Sequence, residues 1–170
     1  MKKIFSILSI LLLVTAFSSC NDTDDLTSIF IKSDKKLTTL WQTPHNKPKE
    51  IDLWNKDEDA YNKSQELKKI DENFSLSFDG TEDNGKISGT LKGKAVKMQI
   101  SGTWSADGKS NRMSIKLDHG IDYNKESDIL AKEFIKALTS VYKYSGDKNT
   151  ISLYFKDPRY NNPHIGFVKK

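Results

Sequence analysis

From Phe74 to Leu117 apolar side chains return at every second position, and this alternation constrains the fold more than any other feature of the chain. Phe74, Leu76 and Phe78 alternate with Ser75 and Ser77. Ile87, Gly89 and Leu91 alternate with Lys86, Ser88, Thr90 and Lys92. Val96, Met98, Ile100, Gly102 and Trp104 alternate with Lys97, Gln99, Ser101 and Thr103, and Met113, Ile115 and Leu117 with Ser114 and Lys116. Successive side chains of a strand point to opposite faces, so each run carries one apolar and one wet face. Antiparallel sheets tolerate that division, whereas parallel ones are covered on both sides. The pairs Asp79 and Gly80, Asn84 and Gly85, Gly93 and Lys94, and Asp107 and Gly108 read as turns between the runs. The pattern predicts an antiparallel meander.

Beyond residue 120 the period changes. Ile129, Leu130, Phe134, Ala137, Leu138 and Val141 recur at helical spacing, with Lys132, Glu133 and Lys136 between them. Ser127 suits the N-cap, Glu126 and Asp128 the positive end of the helix dipole, and Lys143 the negative end. The spacing predicts a helix over about 128–142, ended by Gly146. Ile151, Leu153 and Phe155 return to strand period, and residues 165–168 read as a last edge strand after a loop marked by Pro158 and Pro163. Residues 29–31 and 37–41 read as strands, with 51–54 as another. Residues 57–70 fit either a surface helix or a long loop. The expected fold class is mainly β (α+β): an antiparallel meander or small barrel-like sheet with one packed C-terminal helix. No internal repeat divides the chain, and a single globular domain is expected over 29–170.

The N-terminus has a different character. Lys2 and Lys3 precede an apolar run from Ile4 to Val14, broken by Ser6 and Ser9, and small residues lead to Cys20. Crossing a bilayer as a helix takes about 20 apolar residues, more than this run supplies. Its charge, length and small-residue exit are those of a secretory signal. The ending Ser18, Ser19, Cys20 resembles a lipobox, with Phe17 where an aliphatic residue is usual. That resemblance implies removal of residues 1–19 and acylation of the Cys20 thiol, so that the lipid bilayer becomes a partner. Cys20 is the sole cysteine, so no internal disulfide forms, and lipidation consumes a thiol that would be a liability in an oxidising compartment. Residues 20–28, opening with Asn21, Asp22, Thr23, Asp24 and Asp25, read as an acidic, solvated tether. The expected location is the cell envelope, at the outer membrane, with surface display consistent with the acidic stretch.

The chain carries a formal net charge of +4, two units lower once Lys2 and Lys3 leave with the signal. Cations and anions are interleaved from Lys32 to Lys170, with no basic block of the kind that phosphate backbones demand, which argues against nucleic acid as a partner.

The search for chemistry finds little to assemble. His45, His119 and His164 stand apart, no HExxH or paired-cysteine pattern occurs, and no metal or cofactor is expected. Asp118 beside His119 reads as a turn closing a strand. No serine stands in a G-x-S-x-G elbow. Asp57 and Asp59 lie in a polar, solvated stretch. Among aromatics, Trp104 closes an alternating run and reads as core. Trp54, set among Asp52, Asn55, Lys56 and Asp57, is the tryptophan suited to ligand or partner contact, followed by Tyr154 and Tyr160 near the 157–163 loop.

The stretch over about 74–168 resembles the META domain, a small β-rich module of bacterial envelope proteins. Glu133, Phe134, Leu138, Val141, Tyr142, Tyr144 and Gly146, followed by Ile151 and Leu153, look like that family's late helix passing through a glycine turn into a strand. Ile87, Ser88 and Gly89 look like the strand before its Gly-Cys-Asn motif, although Thr90 and Leu91 replace the Cys-Asn pair. The resemblance implies a compact, barrel-like β fold with one packed helix, and it carries over no catalytic residue. The expected function is that of a membrane-anchored envelope lipoprotein: a non-catalytic binding or interaction module for an envelope protein or small ligand. The alternatives are a lipocalin-like barrel carrying a small apolar ligand, or a hydrolase with an unrecognised site.

Overall fold

A computed structural model describes residues 26–31, 34–40, 53–158 and 160–170. The four alternating runs form β2 (Ser75–Asp83), β3 (Lys86–Lys94), β4 (Gln99–Asp107) and β5 (Arg112–Leu117), each antiparallel to the next. The alternation orients them: Leu76, Phe78, Ile87, Leu91, Ile100, Trp104, Met113 and Ile115 are all buried on one side. Asn84 and Gly85, both at positive φ (52° and 75°), make the tight β2–β3 turn, the geometry two-residue hairpins favour.

The chain continues through β6 (Val141–Gly146), β7 (Thr150–Phe155) and β8 (His164–Lys169), and β1 (Lys35–Leu40) pairs with both β8 and β2. The eight strands therefore close into an antiparallel barrel. Closure removes sheet edges, so the strand expected at an edge, 165–168, instead lies between β7 and β1.

Closure also explains a misplaced turn. Asp79 and Gly80 do not turn the chain; they lie inside β2, with Gly80 opposite Gly89. A Cβ on Gly89 would sit 2.0 Å from the Asp79 carbonyl oxygen and 2.5 Å from the Gly80 Cα, so the two strands approach here as only glycine allows. Trp104, in register with Gly89, donates its indole N–H to the Asp79 and Thr90 carbonyls at 3.0 and 3.1 Å. The turn expected at Gly93 and Lys94 is likewise shifted: β3 runs through Lys94, residues 95–98 turn, and β4 starts at Gln99.

Helices close both poles. At the pole of the 84–85 and 108–111 turns sits α1 (Leu26–Phe30), where a solvated tether was expected as far as 28 and strand structure at 29–31; Leu26 and Ser28 are instead buried. Leu26, Ile29 and Phe30 share one face of a single helical turn. With the ladder already complete, that face gains more by entering the barrel mouth than by pairing. Phe30 is fully buried, with ring centroids 5.6 Å from Phe78, 4.8 Å from Trp104 and 5.0 Å from Tyr144.

The opposite pole is covered by α2 (Glu58–Lys69) and α3 (Ile129–Leu138). The polar segment 57–70 is thus a helix, with Asp57 as N-cap accepting from the Ala60 N–H at 3.0 Å. In α3, Leu130, Ala131, Phe134, Ile135, Ala137 and Leu138 are buried, and Phe134 packs on Phe74 and Phe167. Its N-cap is Asp128, not Ser127, and it stops at Leu138 rather than Tyr142. Val141 and Tyr144 are taken into the barrel by β6, so the helix-to-strand passage falls at Thr139 and Ser140, and Gly146 (φ 134°) ends the strand instead of the helix. The 37–41 strand is β1, with Trp41 outside the described residues. Of the strand expected at 51–54, Ile51 and Asp52 lie outside them, and Leu53 and Trp54 form a turn leading into α2.

Candidate functional site

Among the described residues two concavities lie on the outside of the barrel, whose interior is occupied by its own side chains. Phe30, Leu76, Ile87, Leu91, Ile100, Leu138, Leu153, Ile165 and Phe167 are each at most 2% exposed. An eight-stranded barrel has an interior just wide enough to be filled in this way.

Two troughs lie on the outer faces of β2–β6. The larger, about 610 Å³, crosses β3, β4, β5 and the start of β6. Ser88, Ser105 and Ser114 are neighbours across its floor, with the hydroxyls of Ser105 and Ser114 3.0 Å apart. Lys86, Asp107, Arg112 and Tyr142 rise around them. The seam beneath is thin, for β5 and β6 share one paired position, Arg112 with Lys143. The second, about 540 Å³, lies toward the other end of β2–β4, with Ser75, Ser77, Gly93 and Ser101 low and Lys92, Lys94, Glu72 and Lys170 around them. Both volumes fall in the range of ligand sites, but the troughs are open to solvent and edged by charged side chains, unlike the enclosed pockets that hold lipophilic ligands.

Asp107 and Asp147 hold the turns near one rim. The Asp107 carboxylate accepts from the Lys109 and Ser110 N–H groups at 2.9 and 3.0 Å, and Asp147 from those of Asn149 and Thr150 at 2.8 Å each. Backbone donation, from Ser110 and Thr150 foremost, holds both carboxyls below the usual range. In the interior, burial pushes the Tyr144 phenol up, with Asp107 and Glu82 adding to it. Burial and then Lys169 push the Lys35 ammonium down, against Asp34. Burial also lowers Lys36, opposed by Asp71; its ammonium donates to the carbonyls of Ile70, Asp71 and Asn73 just past the C-terminal end of α2.

The residues singled out from sequence do not converge on one site. Cys20 lies outside the described residues, as does His45. Trp54, the tryptophan read as suited to ligand or partner contact, is 8% exposed: it packs edge-on against Tyr61 and donates to Ser64 Oγ at 2.9 Å. Ser64 in turn donates to Asp128 at 2.6 Å, and the other Asp128 oxygen caps α3 through the Ala131 N–H. Trp54 therefore ties α2 to α3. Tyr154 is half-buried on β7, between Lys143, whose ammonium stands 5.7 Å from its ring, and His164. Tyr160 is half-buried in the β7–β8 loop, its N–H bonded to the Asp157 carbonyl. Asp118 accepts from Ser101 Oγ at 2.6 Å, and exposed His119 follows it in the turn. Among the described residues no group of three or more His, Cys, Asp or Glu is placed to hold a metal ion, and no helix is long and apolar enough to cross a membrane.

Glu126 was missed. It is 2% exposed, and one carboxylate oxygen accepts the N–H groups of Val96, Lys97 and Met98 at 3.1, 2.8 and 2.7 Å. The 95–98 turn is thus an anion-binding nest already filled by the chain's own carboxylate. Glu126 was placed by its sequence position near a helix start, and nothing local marks the turn thirty residues earlier as its partner.

Taken together these features define a class: an antiparallel eight-stranded barrel, packed inside and capped by helices at both poles. The sequence profile of a family described as a domain of unknown function, DUF4847, matches residues 21–169, and the chain belongs to that family. A crystal structure of a DUF4847 family protein from Bacteroides vulgatus is similar in fold, with a TM-score of 0.58 and 24% identity over 85% of this chain and 96% of that one. No curated protein matches.

Proposed function

We propose that this protein is a lipid-anchored envelope lipoprotein whose packed barrel acts through its outer surface, as a non-catalytic interaction module. The observation that carries the surface-acting half is the occupied interior. Phe30 fills one mouth and α3 the other, so the barrel offers a partner its exterior rather than a lumen. The anchor is supported by the three-part N-terminus ending at the sole cysteine, and the family match begins at residue 21, directly after it. Several acyl chains on one cysteine make a stable anchor where one chain binds only marginally.

The alternative of a small-ligand carrier draws on the same closed barrel, since eight strands can enclose one small molecule. It would require Phe30 and its aromatic neighbours to withdraw. Catalysis has less support: nucleophilic chemistry needs a nucleophile and a base in reach, and Asp118 is engaged by Ser101 beside an exposed His119. The test is metabolic labelling with a palmitate analogue followed by membrane fractionation. Wild type should take up label and sediment with membranes, and Cys20→Ser should take up no label and accumulate as an unprocessed or soluble species. Label retained by Cys20→Ser would defeat the proposal.

A further inference from the structure

Resting on the Cys20 reading, we infer that the pole closed by α1 is the surface this protein turns toward the bilayer, and that the α2–α3 pole faces away from it. Five residues, 21–25, separate Cys20 from Leu26, and six Cα–Cα steps of at most about 3.6 Å plus the cysteine side chain put Leu26 within roughly 24 Å of the acylated thiol.

Leu26 is fixed to the barrel. It is 5% exposed and packs toward Gly108 in the β4–β5 turn. Thr27 Oγ1 donates to Glu82 at 3.2 Å, and Phe30 is locked among Phe78, Trp104 and Tyr144. The end of the tether is therefore built into the pole formed by the 84–85, 108–111 and 147–149 turns. The nine residues of β3 span about 30 Å along the strand, or roughly 22 Å along the barrel axis at the usual tilt, before the helical layer adds its own thickness. A tether of about 24 Å cannot span the barrel together with a helical layer about 10 Å thick, so it cannot bring the far pole to the membrane while α1 stays seated.

Charge at the α1 pole is balanced, with Lys86, Lys109, Arg112 and Lys148 exposed beside the carboxylates Glu82, Asp83, Asp107 and Asp147, so the orientation rests on the length of the tether and on where it is fixed.

The orientation can be read from the full-length, acylated protein. Because Cys20 is the sole cysteine and its thiol is acylated, Lys109→Cys and Asn124→Cys each introduce one reactive thiol, at the α1 pole and the far pole respectively. Each is labelled with a fluorophore and reconstituted into phosphatidylethanolamine and phosphatidylglycerol vesicles carrying a nitroxide on a fraction of the headgroups. The expected result is loss of most of the fluorescence at position 109 and little at 124. Co-flotation with equal quenching at both, or stronger quenching at 124, overturns the orientation alone. Failure of the unmutated protein to float with vesicles overturns the anchor and the orientation with it.

Discussion

Replacing Phe30 by alanine removes the plug of one barrel mouth. The ring is completely buried and meets three aromatic partners at 4.8 to 5.6 Å, so its loss opens a cavity lined by large rings anchored on strands β2, β4 and β6. Truncating a buried Phe to Ala costs about 3–5 kcal/mol, and the edge-on pairs add several tenths each. The strand backbones are fixed by their ladders and cannot close on the gap, which puts the expected loss near 4 kcal/mol. For a chain of this length 1 kcal/mol moves the melting point by about 2–4 °C, so Phe30→Ala should melt roughly 8–16 °C lower. The assay is thermal and urea unfolding of the chain from Asn21 onward, followed by near-UV circular dichroism, which reports the Trp104 and Tyr144 environment. Phe30→Leu should recover more than half of the loss. A melting point for Phe30→Ala within about 2 °C of wild type would refute the plug.

The remaining expectations concern α2, the glycine crossing and acid. Ser64→Ala leaves the Trp54 indole N–H and one Asp128 oxygen without their shared partner, and should cost about 2 kcal/mol in urea unfolding; an unchanged midpoint would detach α2 from α3. Gly89→Ala drives a Cβ into the Asp79 carbonyl, so a loss of about 2 kcal/mol or more is expected, where Gly85→Ala, with open space around it, loses only the cost of its positive φ; equal losses would contradict the close strand approach. Asp107 and Asp147 have folded-state pKa values depressed by turn N–H groups, so the stability they contribute is present above the unfolded carboxyl range near pH 4 and disappears as pH falls through the folded values. Asp107→Asn with Asp147→Asn should flatten the acid limb of the stability curve, and an acid limb as steep as wild type would contradict this.

What the sequence made legible follows from how locally each feature is encoded. The period-two runs gave β2, β3, β4 and β5 and the buried side of each, because alternation is a property of the strand itself. Leu130, Phe134, Ala137 and Leu138 of the α3 face were legible from helical spacing in the same local way, whereas Ile129, read with them, is exposed. Closure was expected as one of two options, a barrel-like sheet that the family resemblance also implied, but nothing in β1 or β8 alone says that they pair, and the errors gather where closure decides. Ile29 and Phe30 have strand propensity yet form a helix because the ladder is full; Val141 leaves a helical pattern because β6 needs it; Gly80 looks like a turn because a strand crossing and a turn both favour glycine. The polar ties were equally non-local. Trp54 stands among charged neighbours in sequence but is covered through Tyr61 and Ser64, and Glu126 meets its donors thirty residues away.

The proposed function makes Cys20 the point where this barrel is joined to a membrane. Mass spectrometry of the N-terminal peptide from the purified membrane-extracted protein tests that directly. The expected mature chain begins at Cys20 and carries the mass of a diacylglyceryl group on its thiol. A peptide that begins elsewhere, or a Cys20 bearing a free thiol, would contradict it.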